Sequence, residues 1–316
     1  MVFRVAFKNA KLTKLHKKAV EYAEKKDFEN AIANFQKILE EIPDHAQTWK
    51  NLGTAYHEAK NYENALESYK KAIKYDSSFT DAKFCQVKSL MALKRLSEAI
   101  SLLEPTLKEK PNFLEGWIDL AKLFWHQGEH QKAIDTFLKV LQKEPHNIEA
   151  FSGIAEAYYR TKEPEKAIES FERLLKLQSD NIEALLRLGE LYGDKKQFDI
   201  ARDRLEKALQ INPNFHEALF LLAKIDILTN LFADAVKKLV MLNKNFPNNY
   251  EIMFFLGTAL GNGGNIPQAI EVFEKIIQFQ PSFAEAWRSL AKCYNHIGDK
   301  EKANVCETKF KELAKM

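Results

Sequence analysis

The chain has 316 residues and a formal net charge of +3, from 47 Lys and Arg against 44 Asp and Glu. That balance is too small to imply nucleic acid or an acidic surface as an obligatory partner. The three cysteines, Cys85, Cys293 and Cys306, are too few and too scattered for a disulfide framework. No apolar run approaches the roughly 18 residues of a membrane span. No apolar leader with a small-residue cleavage site opens the chain. The expectation is a reducing cytoplasmic location, with which a removed leader would also be compatible.

Residues 1–11 lie outside the pattern that follows. Phe3, Val5 and Phe7 alternate with Arg4, Ala6 and Lys8, a weak strand signal. This segment reads as a capping turn or loose tail, and alternatively as an arm that docks on a partner or on the first repeat.

From Leu12 onward one unit recurs at a fixed period of 34 residues, without insertion or deletion, giving nine units: 12–45, 46–79, 80–113, 114–147, 148–181, 182–215, 216–249, 250–283 and 284–316. The template is Trp49-x2-Leu52-Gly53-x2-Tyr56 followed by Ala65-x3-Tyr69 and Ala72. The first set forms one helical stripe and the second set another. Gly53 and Ala65 are small enough for the two helices to cross closely. Pro43, Pro111, Pro145, Pro213, Pro247 and Pro281, with Ser77 and Ser179 in the same role, mark where each second helix stops, since proline cannot continue a helix. The connecting turns carry Gly, Asn, Asp and Lys. Two helices of about 13 residues joined by short turns make an antiparallel hairpin. A repeat at this period means a solenoid in which each unit stacks on its neighbours.

These motifs resemble the tetratricopeptide repeat family, over residues 12–316. The resemblance implies an all-α fold: a right-handed α-solenoid of nine antiparallel helix hairpins, forming a single domain. First helices would line a concave groove and second helices a convex back. It also implies a binding scaffold, without naming the ligand.

Some units depart from the template. In 80–113, Lys83 and Gln86 stand where Trp and Leu are expected, so Phe84, Val87 and Leu90 take over the stripe and the helix rotates. Asp226 replaces the tyrosine of its unit. Gly261-Asn262-Gly263-Gly264 is expected to loosen the end of a first helix. Glu307 replaces the second-helix aromatic in the last unit, as suits a solvent-facing cap.

No catalytic constellation is present. His126 and His130 straddle a turn at Gly128, with no carboxylate or cysteine at ligand spacing to complete a metal site. No glycine-rich phosphate loop follows a strand. No cofactor and no metal are expected, and the chain reads as a non-enzyme.

The first-helix positions opposite the packing stripe follow from 100° per residue, and each becomes a column along the groove. One column is acidic: Asp81, Glu115, Glu149, Glu183, Glu217, Glu251 and Glu285. A ladder for a basic ligand is one reading. Favourable placement in the first turn of each helix is the stronger one, since the helix dipole there is worth about 0.3–1 kcal/mol per carboxylate. A second column, Lys17, Asn51, Cys85, Asp119, Gly153, Arg187, Leu221, Phe255 and Ser289, lacks the asparagine ladder of glycosyltransferase members of the family. The carboxylate clamp of chaperone-binding members is also missing, with Thr54 where an asparagine is needed beside Lys50.

The columns change character along the chain. Early units present His16, Lys17, Lys50, Asn51 and Thr54; middle units present Ile118, Asp119, Lys122, Trp125, His126, Tyr159 and Arg160. Later units turn apolar, with Leu186, Phe220, Leu221, Leu228, Phe254 and Phe255. An apolar open face marks a site that something else covers. The expected function is therefore to bind a protein or peptide segment in the groove. The apolar residues would be its anchors, and Lys122, Trp125, Tyr159, Arg160, Arg187 and Lys224 would border them. The alternatives are a homo-oligomerising structural protein and an adaptor subunit of an enzyme complex.

Overall fold

The computed structural model describes residues 9–315. The alternation at Phe3, Val5 and Phe7 lies outside the described residues. The first helix already starts at Ala10, with the Asn9 side chain accepting a hydrogen bond from the Lys11 amide at 2.9 Å.

The chain divides into two compact units, Met1–Glu163 and Pro164–Met316. The first holds α1 (Ala10–Glu24), α2 (Phe28–Glu41), α3 (Ala46–Glu58), α4 (Tyr62–Tyr75), α5 (Thr80–Ala92), α6 (Leu96–Glu109), α7 (Leu114–His126), α8 (His130–Lys143) and α9 (Ile148–Arg160). The second holds α10 (Pro164–Leu177), α11 (Ile182–Asp194), α12 (Phe198–Ile211), α13 (His216–Leu228), α14 (Phe232–Asn245), α15 (Tyr250–Asn262), α16 (Ile266–Phe279), α17 (Ala284–His296) and α18 (Lys300–Leu313). No strand occurs among the described residues. Within each unit every helix packs on the next in sequence, and successive first helices also touch: α3 with α5 and α7 with α9 in one unit, and α11 with α13, α13 with α15 and α15 with α17 in the other. Each unit is an all-α solenoid built of helix hairpins.

Three local devices repeat with the sequence. The turn inside every hairpin places one residue at positive φ: Lys26, Lys60, Lys94, Gly128, Lys162, Lys196, Asn230, Gly264 and Gly298, all one period apart. Each sits in a Schellman motif; the Asp27 amide donates to the Tyr22 carbonyl at 2.9 Å, and the Leu231 amide to the Asp226 carbonyl at 2.7 Å. Only three of the nine positions are glycine, so five lysines and one asparagine hold a conformation that L-residues resist. The second device links tryptophan to proline. The indole N–H of Trp49 donates to the Pro43 carbonyl at 2.8 Å, Trp117 to Pro111 at 3.0 Å and Trp287 to Pro281 at 2.8 Å. The ring that fills the stripe thereby also fixes the loop before it.

The third device is the crossing point. Ala31, Ala65, Ala99, Ala133, Ala167, Ala201, Ala235, Ala269 and Ala303 are all fully buried on second helices. Across from them, a Cβ added at Gly53 would stand 2.6 Å from the Tyr69 ring, and one at Gly257 2.8 Å from the Phe273 ring. Close approach of the two helices therefore depends on small residues at both faces.

Phe84, Val87 and Leu90 do enter the core of the first unit, and Phe84 stacks on Phe113 with centroids 4.0 Å apart. The glycine run does not loosen α15. That helix reaches Asn262 at the same 13 residues as α13, because Gly263 caps it and Gly264 takes the positive-φ position that the turn requires anyway.

Candidate functional site

The first-helix face of 164–316 carries a chain of aromatic rings. Phe220 on α13 meets Phe255 on α15 edge to face, with centroids 5.4 Å apart and planes at 79°. Phe255 meets Phe254 at 5.7 Å, and Phe254 in turn meets Phe283 at 5.3 Å and Phe273 at 5.9 Å. Edge-to-face pairs of this kind contribute about 0.5–1.5 kcal/mol beyond their buried area. The Lys224 ammonium lies 5.7 Å from the Phe220 centroid and 5.3 Å from that of Phe255. Phe220, Phe254 and Phe255 are partly buried and rest on the hydrophobic core of α13–α18, while Leu221 rests on that of α11–α13.

The other expected anchors separate. Leu186 is buried in the α11–α13 core and offers no open surface. Leu228, at the end of α13, is 63% exposed. Arg187 is drawn to acids of its own helix, Glu183 at 2.8 Å and Glu190 at 3.4 Å.

A cavity of about 490 Å³ opens beside Phe254, among α15, α16 and α17, lined by residues that include Gly257, Gly261, Ile266, Phe273, Arg288 and Lys292. Cavities of this size accommodate small ligands or a few peptide residues.

In 9–163 the same face is built differently. His16, Asn51, Thr54 and Ile118, expected as groove-facing, are buried. Asn51 accepts from the Gln47 amide at 2.9 Å, and Thr54 accepts from the Tyr69 hydroxyl at 3.3 Å. Lys88 pairs with Glu115 at 2.5 Å, and Lys122 pairs with Glu149, one period on. Asp119 sits beside these pairs, and burial pushes its carboxyl above the usual range against the pull of Lys88 and Lys122. Arg160 pairs with Glu156 at 2.9 Å, and Trp125 packs on the His130 ring at 4.6 Å. Tyr159 is partly buried.

The acidic column is thus partly consumed inside the molecule. Asp81, Glu115, Glu149 and Glu183 each have a cation of this chain at hand. This favours the local electrostatic reading over a ladder for a basic ligand.

Asp226 is fully buried. Its two oxygens meet Arg202 Nη1 and Lys238 Nζ, each at 2.7 Å. The tyrosine position has become an internal ion triad joining α12, α13 and α14. The sequence reading does not single out Arg202, although it interrupts a column that is Ile32, Leu66, Ile100, Ile134, Ile168, Val236 and Ile270 elsewhere, save for Asn304 in the last unit. A cation breaking an aliphatic column in the unit next to an acid breaking an aromatic one is the signal that could have found the pair.

Among the described residues, no group of three His, Cys, Asp or Glu side chains stands close enough to hold a metal ion. No helix there is long and apolar enough to cross a membrane.

Solved structures similar to this one include a tetratricopeptide repeat protein from Parabacteroides merdae, with 19% identity and a TM-score of 0.57, covering 75% of this chain and 93% of that one. YrrB, described as a TPR protein with an unusual peptide-binding site, has 20% identity and a TM-score of 0.51 over 58% of this chain and 95% of its own. MamA from Desulfovibrio magneticus has 18% identity and a TM-score of 0.52 over 53% of this chain and 95% of its own. At these identities the likeness is one of fold. No curated protein matches the sequence. Models described as tetratricopeptide repeat match residues 15–45, 46–79, 86–148, 124–188, 182–215 and 256–303. With these matches spread along most of its length, and with the hairpins they imply, the chain belongs to the tetratricopeptide repeat family.

Proposed function

We propose that this protein is a non-enzymatic scaffold that binds a segment of a partner protein on the first-helix face of 164–316, through Phe220, Leu221, Phe254, Phe255 and Leu228, with Lys224 beside them. The observation that carries this reading is the row of partly buried rings whose neighbouring cation, Lys224, lies over the ring faces. In the other unit the equivalent lysines, Lys88 and Lys122, are held by glutamates. A partly covered apolar row gains by being covered further. At about 1.5–3 kcal/mol for a fully buried Phe or Leu, completing the burial of four such residues contributes several kcal/mol. After the costs of association this corresponds to affinities in about the micromolar range.

The test is to select peptides on the full chain by display and measure their binding to variants. Lys224→Glu combined with Phe255→Ala is expected to weaken the selected peptides at least tenfold. Failure to enrich any peptide, or unchanged binding by that variant, would count against the reading.

A second reading, self-association, is favoured by exposed apolar residues on second helices of the same unit, notably Val240 (52% exposed) and Met241 (42%) on α14 and Phe279 (65%) on α16. Sedimentation velocity over a hundredfold concentration range separates the two. A constant monomer removes the second reading.

A further inference from the structure

The cavity among α15, α16 and α17 has two chemically distinct walls. On the α15 and α16 side the lining is mainly apolar, Phe254, Gly257, Gly261, Ile266 and Phe273, with Thr258 and Asn262 among them. On the α17 side the lining includes Arg288, Lys292 and His296, at steps of four along one stripe of the helix. Arg288 stands in the column that Leu186, Phe220 and Phe254 occupy in the preceding units, so an apolar column ends in a cation. Its guanidinium lies 5.6 Å from the Phe310 ring. Lys292 stands in the column of Lys88 and Lys122, whose charges Glu115 and Glu149 neutralise. Neither Arg288 nor Lys292 has a carboxylate at ion-pair distance among the described residues. Glu285 also lines the cavity, one turn before Arg288, and pairs with neither.

We propose that this cavity takes an extended acidic peptide segment in which two Asp or Glu residues flank one apolar residue. The proposal rests on the scaffold reading above and names the chemistry of the segment. Four residues of helix advance about 6 Å at 1.5 Å each. Two residues of an extended chain advance about 6.6 Å. Carboxylates at alternate positions of an extended segment therefore match the spacing of Arg288 and Lys292. Side chains of an extended chain alternate between its two sides, so the residue between the acids faces the opposite wall, which is the apolar one. Two cations a full turn apart fit side-chain acids along a segment better than a single terminal carboxylate. Electrostatic complementarity of this kind fixes register and selects against basic segments.

The test measures fluorescence anisotropy of the full chain with a labelled, blocked pentapeptide, acetyl-Gly-Asp-Phe-Asp-Gly-amide. The same peptide with Lys in place of Asp is expected to bind at least tenfold more weakly. Arg288→Glu with Lys292→Glu is expected to weaken the acidic peptide at least tenfold, less so at high salt. Gly261→Leu is the steric variant. A Cβ there meets Ala269 Cβ at 3.6 Å and Cys293 Sγ at 4.0 Å, so the larger side chain fills the cavity without a clash at its base. It is expected to weaken binding tenfold without lowering the melting temperature. Lys70→Glu, an exposed charge reversal in the other unit, is expected to stay within twofold. Equal binding of the lysine peptide, no binding of the acidic one up to millimolar concentration, or indifference to either the charge reversal or Gly261→Leu would overturn the proposal. If display-selected peptides then still depend on Phe255 and Lys224, the scaffold reading stands without it. If the acidic peptide binds as described while those variants have no effect, the cavity stands and the aromatic row falls.

Discussion

Residues 9–163 and 164–316 are made from the same repeat and present opposite kinds of first-helix face. In the first, Lys88 and Lys122 are matched to Glu115 and Glu149, and Asn51 and Thr54 are buried and accept hydrogen bonds, while Lys17 and Lys50 have no ion pair among the described residues. In the second, the charge of Asp226 has been drawn inside, to Arg202 and Lys238, and rings and uncompensated cations remain on the face. The difference shows that the repeat dictates where a side chain stands and leaves its solvation to the column neighbours. The same backbone can thus carry differently solvated faces.

The largest effect should come from the buried triad. Asp226→Ala is expected to destabilise 164–316 by about 3 kcal/mol, because two cations lose their buried partner. Asp226→Tyr with Arg202→Ile, which restores both columns to their repeat identities, is expected to recover most of that loss in urea denaturation. If the double variant is as unstable as Asp226→Ala, the triad is not what distinguishes this region.

A second substitution should act alike in both units. Lys94→Gly and Lys196→Gly, at equivalent positive-φ turns, are each expected to stabilise by about 1 kcal/mol. A gain in one unit only would show that the turns are not equivalent.

A smaller effect is expected from Glu149→Ala, which removes the partner of Lys122. Both side chains are about half exposed, at 40% and 51%, so the change should stay within about 0.5 kcal/mol. A cost above about 1 kcal/mol would make the paired face structural rather than merely neutral.

Last is a pH effect. Burial raises the carboxyl of Asp119 above its ordinary range, so the folded chain holds that proton more tightly than the unfolded one. The associated stability is present at low pH and is lost as pH rises through the folded value. Asp119→Asn is therefore expected to raise the melting temperature at pH 7, with a gain that disappears on acidification below the ordinary aspartate range. A loss at pH 7 would mean that attraction to Lys88 and Lys122 outweighs burial.

Most of the fold was legible because the period is unbroken. The Ala31-to-Ala303 column, the tryptophan stripe and the proline stops each recur at one spacing, and each maps onto a repeated contact. The site was legible only in part. Periodicity gives the angle of a side chain about its helix, so Phe220, Phe254 and Phe255 read as neighbours on one face, and their rings do meet. It does not give how deeply a helix is rolled into its neighbours, so Leu186 and Ile118 were assigned to an open surface they do not reach. Nor does a single column reveal a partner in another one. Asp226 was visible as a departure, but its role depends on Arg202 and Lys238, one on the helix before it and one on the helix after. The glycine run misled because glycine propensity was weighed without the turn, which demands a left-handed residue at position 264 in any case.

The most direct test is hydrogen–deuterium exchange of the full chain with and without a saturating display-selected peptide. Protection concentrated in α13, α15 and α17, with α3, α5 and α7 unchanged, is the expected result. Protection centred on the first helices of 9–163, or on the second helices of either unit, would contradict the assignment of the binding face.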